Sequence, residues 1–219
     1  IIKNYTLYEH PGFYADTSLT SYPAIIGNII SDAYNNPGVS WVANPAGFEL
    51  ERIVLEWMAE EFGIPSNFKR EDSGCVVHLD SGESAAVVAL AARNKKRFDY
   101  PNQDNKFTYY YSTEANKGAS KSTYIANGAA RVIPVVWNNK IRNFEMDVVA
   151  LKKTIEEDVK AGFIPTLVYA NLGNYNTTAI DPIEEITDYC SKNKIWCHID
   201  ASVLGNTLLL SEKKHLLQG

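Results

Sequence analysis

The stretch that decides the fold is residues 165–202, PTLVYANLGNYNTTAIDPIEEITDYCSKNKIWCHIDAS. Two short apolar runs, 165–171 and 195–200, lie on either side of a segment with helical periodicity, 181–193. Pro182 stands at the first turn of that segment, where proline favours a helix. Parallel strands need a helical crossover of this length, and both faces of a parallel sheet are buried, which explains the apolar runs. The stretch therefore predicts a parallel βαβ unit.

The same alternation extends toward the N-terminus. Apolar or aromatic runs predict further strands at 74–79, 106–112 and 130–136. Helical patterns accompany them at 81–98, 117–127 and 145–162, and two earlier helices are predicted at 21–34 and 44–65. Strands that alternate with helices of this length indicate an α/β fold, with a parallel-rich sheet flanked by helices. We divide the chain into an N-terminal helical segment, 1–65, and an α/β part, 66–219.

Composition argues against several classes of function. The 219 residues carry a formal net charge of −5, and their one basic run, RNKKR at 93–97, is typical of a solvated helix end. We therefore expect no nucleic-acid-binding surface. No apolar stretch reaches the ~20 residues of a membrane-spanning helix, and the N-terminus lacks a signal-peptide pattern. The chain begins with Ile1 and shows no closing strand or helix before Gly219, so we expect it to be truncated.

The spacing of the cysteines and histidines predicts neither a disulfide framework nor a metal site. Cys75, Cys190 and Cys197 form no CxxC pair, and an odd number of thiols fits a reducing compartment better than a disulfide framework. We expect an intracellular protein, in the cytoplasm or alternatively in an organelle. The four histidines show no HxxxH or HExxH spacing, so no metal site is predicted.

Ligands of open parallel sheets bind beyond the carboxyl ends of the strands. Four loops follow predicted strands there, and we expect them to line one crevice: 80–83, 113–116, 171–175 and 200–202. The turn DSGES at 80–84 begins a helix, whose free N–H groups could hold a phosphate. Alternatively its serine and glycine merely cap the helix, and the charge of Asp80 would oppose a bound anion.

Asp200 ends the last predicted strand. An isolated buried carboxylate is unfavourable, so Asp200 must be hydrogen-bonded or paired with a positive charge. It either anchors a helix start or loop, or it pairs with the protonated nitrogen of a pyridine ring, as in pyridoxal phosphate enzymes. The residues alone leave both alternatives open.

Three segments carry motifs in a recognisable order: HPGFYAD…SYPAIIGNIISDA from His10, WVANPAGFELERIVLEWMAEEFGIP at 41–65, and AGFIPTLVYAN…IWCHIDAS at 161–202. They resemble HPxFxA…SYPAIxxDML, WxxSPAxTELExxxxDW and AGxIPxxxxATxGTT…WxHVDAA of the group II pyridoxal-phosphate-dependent amino-acid decarboxylases. This family includes the aromatic-amino-acid and histidine decarboxylases. The resemblance covers the chain from His10 to Gly219.

The resemblance implies the large domain of a fold type I PLP-dependent transferase and pyridoxal 5'-phosphate (PLP) as cofactor. It also implies a homo- or hetero-oligomer, because family members are dimers with sites at the interface. Asp200 matches the aspartate that pairs with the pyridine nitrogen, and Ser202 stands where the family has an alanine against the ring. Ser81 and Gly82 stand at the phosphate-binding turn.

Other positions depart from the family pattern. Asn116 occupies the place of the histidine that stacks on the ring, and Tyr175 that of a small hydroxyl residue near the cofactor. Leu79 and Asp80 replace a Gly-Thr pair before the phosphate-binding turn. The family's Schiff-base lysine and small C-terminal domain would lie beyond Gly219. An asparagine cannot transfer a proton as an imidazole does.

These features support two interpretations. The first is a divergent homologue that is catalytically inactive as given and has a structural or interaction role, within an oligomer or a larger assembly. The second is a fragment of an active PLP-dependent amino-acid decarboxylase, a carboxy-lyase, whose lysine lies beyond Gly219. The first is favoured, because several changes fall at one site.

Overall fold

The computed structural model describes residue 10 and the ranges 20–65 and 75–217. The chain forms two compact units, an N-terminal unit (Ile1–Val77) and a C-terminal unit (His78–Gly219). Among the helices of the described ranges, none combines the length and the apolar character that crossing a bilayer requires.

The N-terminal unit contains the two helices predicted there, α1 (Tyr22–Tyr34) and α2 (Pro45–Glu61). Both begin at a side-chain cap. The Ser21 hydroxyl accepts a hydrogen bond from the N–H of Ala24 at 3.3 Å, and the Asn44 side chain accepts one from the N–H of Gly47 at 3.0 Å. Each helix also has proline in its first turn, which suits the free N–H positions there.

The C-terminal unit is an α/β layer structure. Its helices are α3 (Ser81–Asp99), α4 (Lys117–Ile125), α5 (Val148–Lys160) and α6 (Ile183–Lys192). Its strands are β1 (Phe107–Ser112), β2 (Ala129–Ile133), β3 (Val135–Asn138), β4 (Asn143–Met146), β5 (Ile164–Asn171) and β6 (Trp196–Asp200). Short 3₁₀ helices span Asp104–Lys106, Gly205–Leu209 and Ser211–Leu217. Strands β2, β1, β5 and β6 form a parallel sheet in that order, which confirms the βαβ prediction, and β3 and β4 form an antiparallel pair.

The predicted strand at 74–79 is wrong in its described part, because residues 75–79 form no strand. The N–H of Val77 donates to Glu51 Oε1 at 3.0 Å, and the N–H of Leu79 donates to Glu83 Oε2 at 2.7 Å. These two N–H groups therefore donate to glutamate side chains, whereas in a sheet they would donate to the carbonyl oxygens of a neighbouring strand. The apolar side chains of this run are exposed, Leu79 to 95%, so the run is not buried as a central strand of a parallel sheet would be.

At two further places, a single residue explains why the structure differs from the prediction. The predicted strand 130–136 is divided at Pro134, which has no N–H to donate, so β2 ends before it and β3 begins after it. The predicted helix 145–162 begins only at Val148, because its first residues belong to β4. Asp147 marks the true start, since its side chain accepts a hydrogen bond from the N–H of Ala150 at 2.9 Å.

Both faces of the parallel sheet are buried, as expected for βαβ packing. One face packs against α5 and α6, with a core that includes Tyr110, Leu151, Ile155, Val168 and Ile186. The opposite face packs against α3, with a core that includes Ala89, Ala92, Phe107, Tyr109 and Leu167. Neighbouring residues of one strand, such as Tyr109 and Tyr110, therefore enter different cores.

Candidate active site

Hydrogen bonds connect the four predicted loops at the carboxyl edge of the sheet. Asn174 Nδ2 donates to Glu114 Oε2 at 3.2 Å, which joins the loops after β5 and β1. The N–H of Leu172 donates to the carbonyl oxygen of Asp200 at 2.8 Å, which joins the loops after β5 and β6. Asn116 Nδ2 donates to Ser81 Oγ at 3.4 Å, which joins the loop after β1 to the start of α3.

A buried carboxylate that the sequence did not reveal anchors the end of β5. Asp181 Oδ2 accepts hydrogen bonds from the N–H of Asn171 at 2.8 Å and from Asn171 Nδ2 at 3.0 Å. Asp181 Oδ1 accepts one from the N–H of Met146 at 2.8 Å. Burial raises the pKa of Asp181, although the three donors act in the opposite direction. The carboxyl end of β5 is thereby fixed to β4.

One cavity of about 510 Å³ opens between the start of α3 and the ends of β5 and β6. Its lining comprises His78, Asp80, Ser81, Ser84, Tyr169, His198, Ile199, Asp200, Ala201 and Ser202. Three of the residues singled out from the sequence, Asp200, Ser202 and Ser81, therefore share one cavity. Gly82, Asn116 and Tyr175 do not belong to its lining, and Tyr175 is 49% exposed.

Asp200 is only 8% exposed, and its carboxylate accepts three hydrogen bonds from the part of the chain that the structure describes. Oδ1 accepts from the N–H of Ser202 at 3.0 Å and from Ser202 Oγ at 2.5 Å, and Oδ2 accepts from the hydroxyl of Tyr169 at 3.0 Å. All three donors are neutral. Within the described ranges, Asp200 forms no salt bridge, so these donors stabilise its negative charge without neutralising it.

Tyr169 and His198 are cavity residues that sequence reasoning missed. They are paired in register on β5 and β6, and their ring centroids lie 4.8 Å apart with the planes inclined at 55°. Burial lowers the pKa of His198, although the charge of Asp200 opposes this shift, so the imidazole favours its neutral form. The alternation of side chains along a strand could have revealed His198, because it lies two residues before Asp200 and on the same face.

The start of α3 combines hydroxyl groups with acidic side chains. Asp80 caps the helix, since its Oδ1 accepts a hydrogen bond from the N–H of Glu83 at 2.8 Å. The hydroxyls of Ser81 and Ser84 line the cavity beside it. The cap of this turn is therefore Asp80 and not the serine or glycine that the sequence suggested, and the Asp80 carboxylate also lines the cavity.

Asn116 is the N-terminal cap of α4. Its Oδ1 accepts a hydrogen bond from the N–H of Gly118 at 3.0 Å, while its Nδ2 contacts Ser81 Oγ. Both ends of the amide are therefore engaged by the two helix starts. Asn116 is connected to the cavity through Ser81 and does not line it.

A family model and curated proteins match the chain. The model of the pyridoxal-dependent decarboxylase conserved domain matches residues 1–219. An aromatic-L-amino-acid decarboxylase of Catharanthus roseus is 31% identical over 222 residues, an alignment that covers 100% of this chain and 44% of that protein. A histidine decarboxylase of Homo sapiens is 32% identical, with 92% of this chain and 32% of that protein covered. The chain therefore spans less than half the length of these relatives.

Solved structures show the same similarity. The crystal structure of Catharanthus roseus tryptophan decarboxylase in complex with L-tryptophan superposes with a TM-score of 0.91 and 30% identity, covering 99% of this chain and 47% of that one. An Oryza sativa TDC with PLP superposes with a TM-score of 0.85 and 26% identity, covering 93% of this chain and 45% of that one. The fold type I architecture implied by the motifs is thereby confirmed. With a family model that matches it from its first residue to its last, the chain belongs to the pyridoxal-dependent decarboxylase family.

Proposed function

We propose that the cavity beside Asp200 binds PLP, and that the chain is catalytically inactive as given and has a structural or interaction role. The observation that carries PLP binding is the Asp200 carboxylate, which is buried and lines the cavity, and whose donors among the described residues are all neutral. Its charge remains available to a protonated ring nitrogen. The presence of PLP in the structure of a related Oryza sativa protein supports the same ligand.

The lining residues fit PLP at both of its ends. Asp200 would accept the ring N–H, and the hydroxyls of Ser81 and Ser84, at the start of the 19-residue helix α3, would bind the phosphate. When bound, PLP supplies an electron-withdrawing ring that makes bonds to the substrate's α-carbon easier to break. The Asp80 carboxylate would weaken phosphate binding, since it lines the same cavity.

Asn116 supports the absence of catalysis. An amide neither gains nor loses a proton near neutral pH, so Asn116 cannot serve as a general acid or base. Its two polar atoms are already bonded to the starts of α3 and α4. At this position the chain therefore uses its side chain for helix capping, which is a structural role.

The alternative is that this chain is part of an active PLP-dependent amino-acid decarboxylase. One observation favours it. His198 lines the cavity and its imidazole favours the neutral form, so it could move a proton next to a bound substrate. In that case the remaining catalytic groups would come from residues outside this chain.

Equilibrium dialysis against PLP and a CO₂-release assay test the proposal. We expect the purified protein to bind PLP, and Asp200→Ala to weaken binding by at least about tenfold, because a buried charge pair is lost. Asp188→Ala is the matched control, since this aspartate lies on α6 outside the cavity lining and its side chain is 68% exposed.

The CO₂ assay, with PLP present, should show no release from aromatic L-amino acids or L-histidine. Release above the rate without protein would favour the active decarboxylase. Failure of the protein to bind PLP would eliminate both interpretations of the cavity.

We also propose that the N-terminal unit takes part in an oligomer. No residue of the 13-residue helix α1 is buried, and its large apolar side chains are exposed: Tyr22, Ile25, Ile26, Ile29, Ile30 and Tyr34. A helix this short is marginal alone in water, so such a surface favours contact with another chain.

Sedimentation velocity measures the oligomeric state. We expect a species larger than the 24.4 kDa monomer, and we expect Ile26→Glu with Ile30→Glu to shift it toward the monomer. Asn28→Glu, on the same exposed helix, adds a charge without removing an apolar side chain and should leave the distribution unchanged. A wild-type chain that sediments only as a monomer would refute the proposal.

A further inference from the structure

We propose that Tyr169 is a positioning residue, which orients the Asp200 carboxylate so that its one free acceptor position meets the ring nitrogen of PLP. This inference rests on the proposed binding of PLP to the cavity. It concerns Tyr169 and Asp200, whose side chains are joined by a hydrogen bond of 3.0 Å.

The Tyr169 side chain is held firmly in place. It lies on β5, is 3% exposed, and packs in a small core with Ala85 of α3 and Ala119 of α4. The ring of His198 covers it on the neighbouring strand. With so little room to change rotamer, the Tyr169 hydroxyl is a donor at a fixed point of the cavity wall.

The hydrogen bonds that Asp200 accepts from residues in the described ranges leave a single acceptor position. Each carboxylate oxygen can accept about two hydrogen bonds. The backbone N–H and the hydroxyl of Ser202 occupy both positions on Oδ1. Tyr169 occupies one position on Oδ2, so the remaining one lies on the oxygen that Tyr169 holds. A ring N–H that binds Asp200 would therefore share Oδ2 with the Tyr169 hydroxyl.

Electrostatics keep Tyr169 in the role of donor. Burial, and then the charge and the hydrogen bond of Asp200, raise the pKa of Tyr169 well above its usual range. The phenol thus stays protonated through the whole range in which the protein is handled. Ser202, the other described donor to this carboxylate, lies in the loop after β6, only two residues from Asp200. Tyr169 instead lies on the neighbouring strand β5.

The test compares two ligands in two variants. The ligands are PLP and an analogue in which C–H replaces the ring nitrogen, and the dissociation constants are measured by fluorescence titration. For Tyr169→Phe we expect PLP to bind about fivefold more weakly, as for the loss of one hydrogen bond, while the analogue binds as it does to the wild type. Tyr111→Phe is the control, because Tyr111 pairs with Tyr169 in register and packs beside it.

Each outcome has a distinct meaning. Equal weakening of both ligands by Tyr169→Phe would indicate a purely structural role and overturn the inference, as would unchanged PLP binding. If the wild-type protein binds PLP and Tyr169→Phe gives one of these two results, the inference about Tyr169 is wrong but the proposed function is still supported. A wild-type protein that binds no PLP overturns the proposed function and the inference together, and this result is seen before any variant is measured.

Discussion

Replacing Gly173 with alanine is expected to lower the free energy of unfolding by about 3 kcal/mol or more, the sum of backbone strain and overpacking. Gly173 has φ = +86°, a conformation that favours glycine. A Cβ there would lie 2.3 Å from Leu204 Cγ and 2.7 Å from Leu204 Cδ1. The backbone cannot easily move aside, because the N–H of Gly173 donates to the carbonyl oxygen of Ala179 at 3.0 Å.

The same substitution should weaken the PLP binding that we propose for the cavity. Leu172, the residue before Gly173, donates its N–H to the carbonyl oxygen of Asp200, and Leu204 lies four residues after Asp200. A displacement at Gly173 therefore reaches the Asp200 loop from two sides. We expect dialysis to show a loss of PLP affinity in the variant under conditions where circular dichroism still reports a folded chain.

Gly162→Ala separates the two causes of the loss. Gly162 has a similar φ of +83°, but a Cβ built there meets no atom within 4 Å. Its substitution should therefore lower stability by only about 1 kcal/mol, from the backbone conformation alone. Urea unfolding followed by circular dichroism measures both variants. Similar losses at the two positions would show that the contact with Leu204 is unimportant.

Replacing Asp158 with alanine is expected to lower the free energy of unfolding by about 3 kcal/mol, because a buried ion pair loses one partner. Asp158, on α5, is 6% exposed. Its Oδ1 accepts hydrogen bonds from Arg131 Nε at 2.9 Å and Arg131 Nη2 at 2.8 Å, and its Oδ2 accepts one from the Tyr110 hydroxyl at 2.7 Å. The variant removes the charged acceptor of the half-buried Arg131 guanidinium, and it leaves the Tyr110 hydroxyl with Thr108 Oγ1, at 2.8 Å, as its neighbour.

Glu157→Ala is the matched control for Asp158→Ala. Glu157 is the preceding residue of α5, its side chain is 63% exposed, and its ion pair with Lys153 spans 3.9 Å. We expect a change of less than about 0.5 kcal/mol, since exposed ion pairs contribute little. If the two substitutions destabilise the chain equally in urea unfolding, the Arg131–Asp158–Tyr110 network does not stabilise the sheet as we infer.

The sequence was sufficient to locate strands and helices where a local pattern of apolar residues recurs. Apolar runs and helical periodicity located β1, β5, β6 and the helices between them, because burial on both faces of a parallel sheet imposes those patterns. It failed at residues 75–79, where an apolar run forms no strand, and at Pro134, which divides a predicted strand in two. The first error arises because strand formation depends on a neighbour that the local sequence does not contain. The second arises because Pro134 has no N–H to donate to a neighbouring strand.

The residues of the candidate site also divide into those that the sequence could predict and those that it could not. Asp200, Ser202 and Ser81 could be predicted from their places at strand and helix ends, and all three line the cavity. Tyr169 could not be predicted to donate to Asp200, because the two residues are 31 positions apart along the chain and their contact depends on the register between β5 and β6.

By itself, therefore, the sequence determined the family, the parallel α/β architecture and the position of Asp200 at the end of a strand. Only the tertiary structure decided that Tyr169 donates to that carboxylate, that Asn116 contacts Ser81, and that Asp181 joins β5 to β4. The physical reason is that periodicity is a property of neighbouring residues. Hydrogen bonding of buried polar groups is instead settled by packing between distant segments.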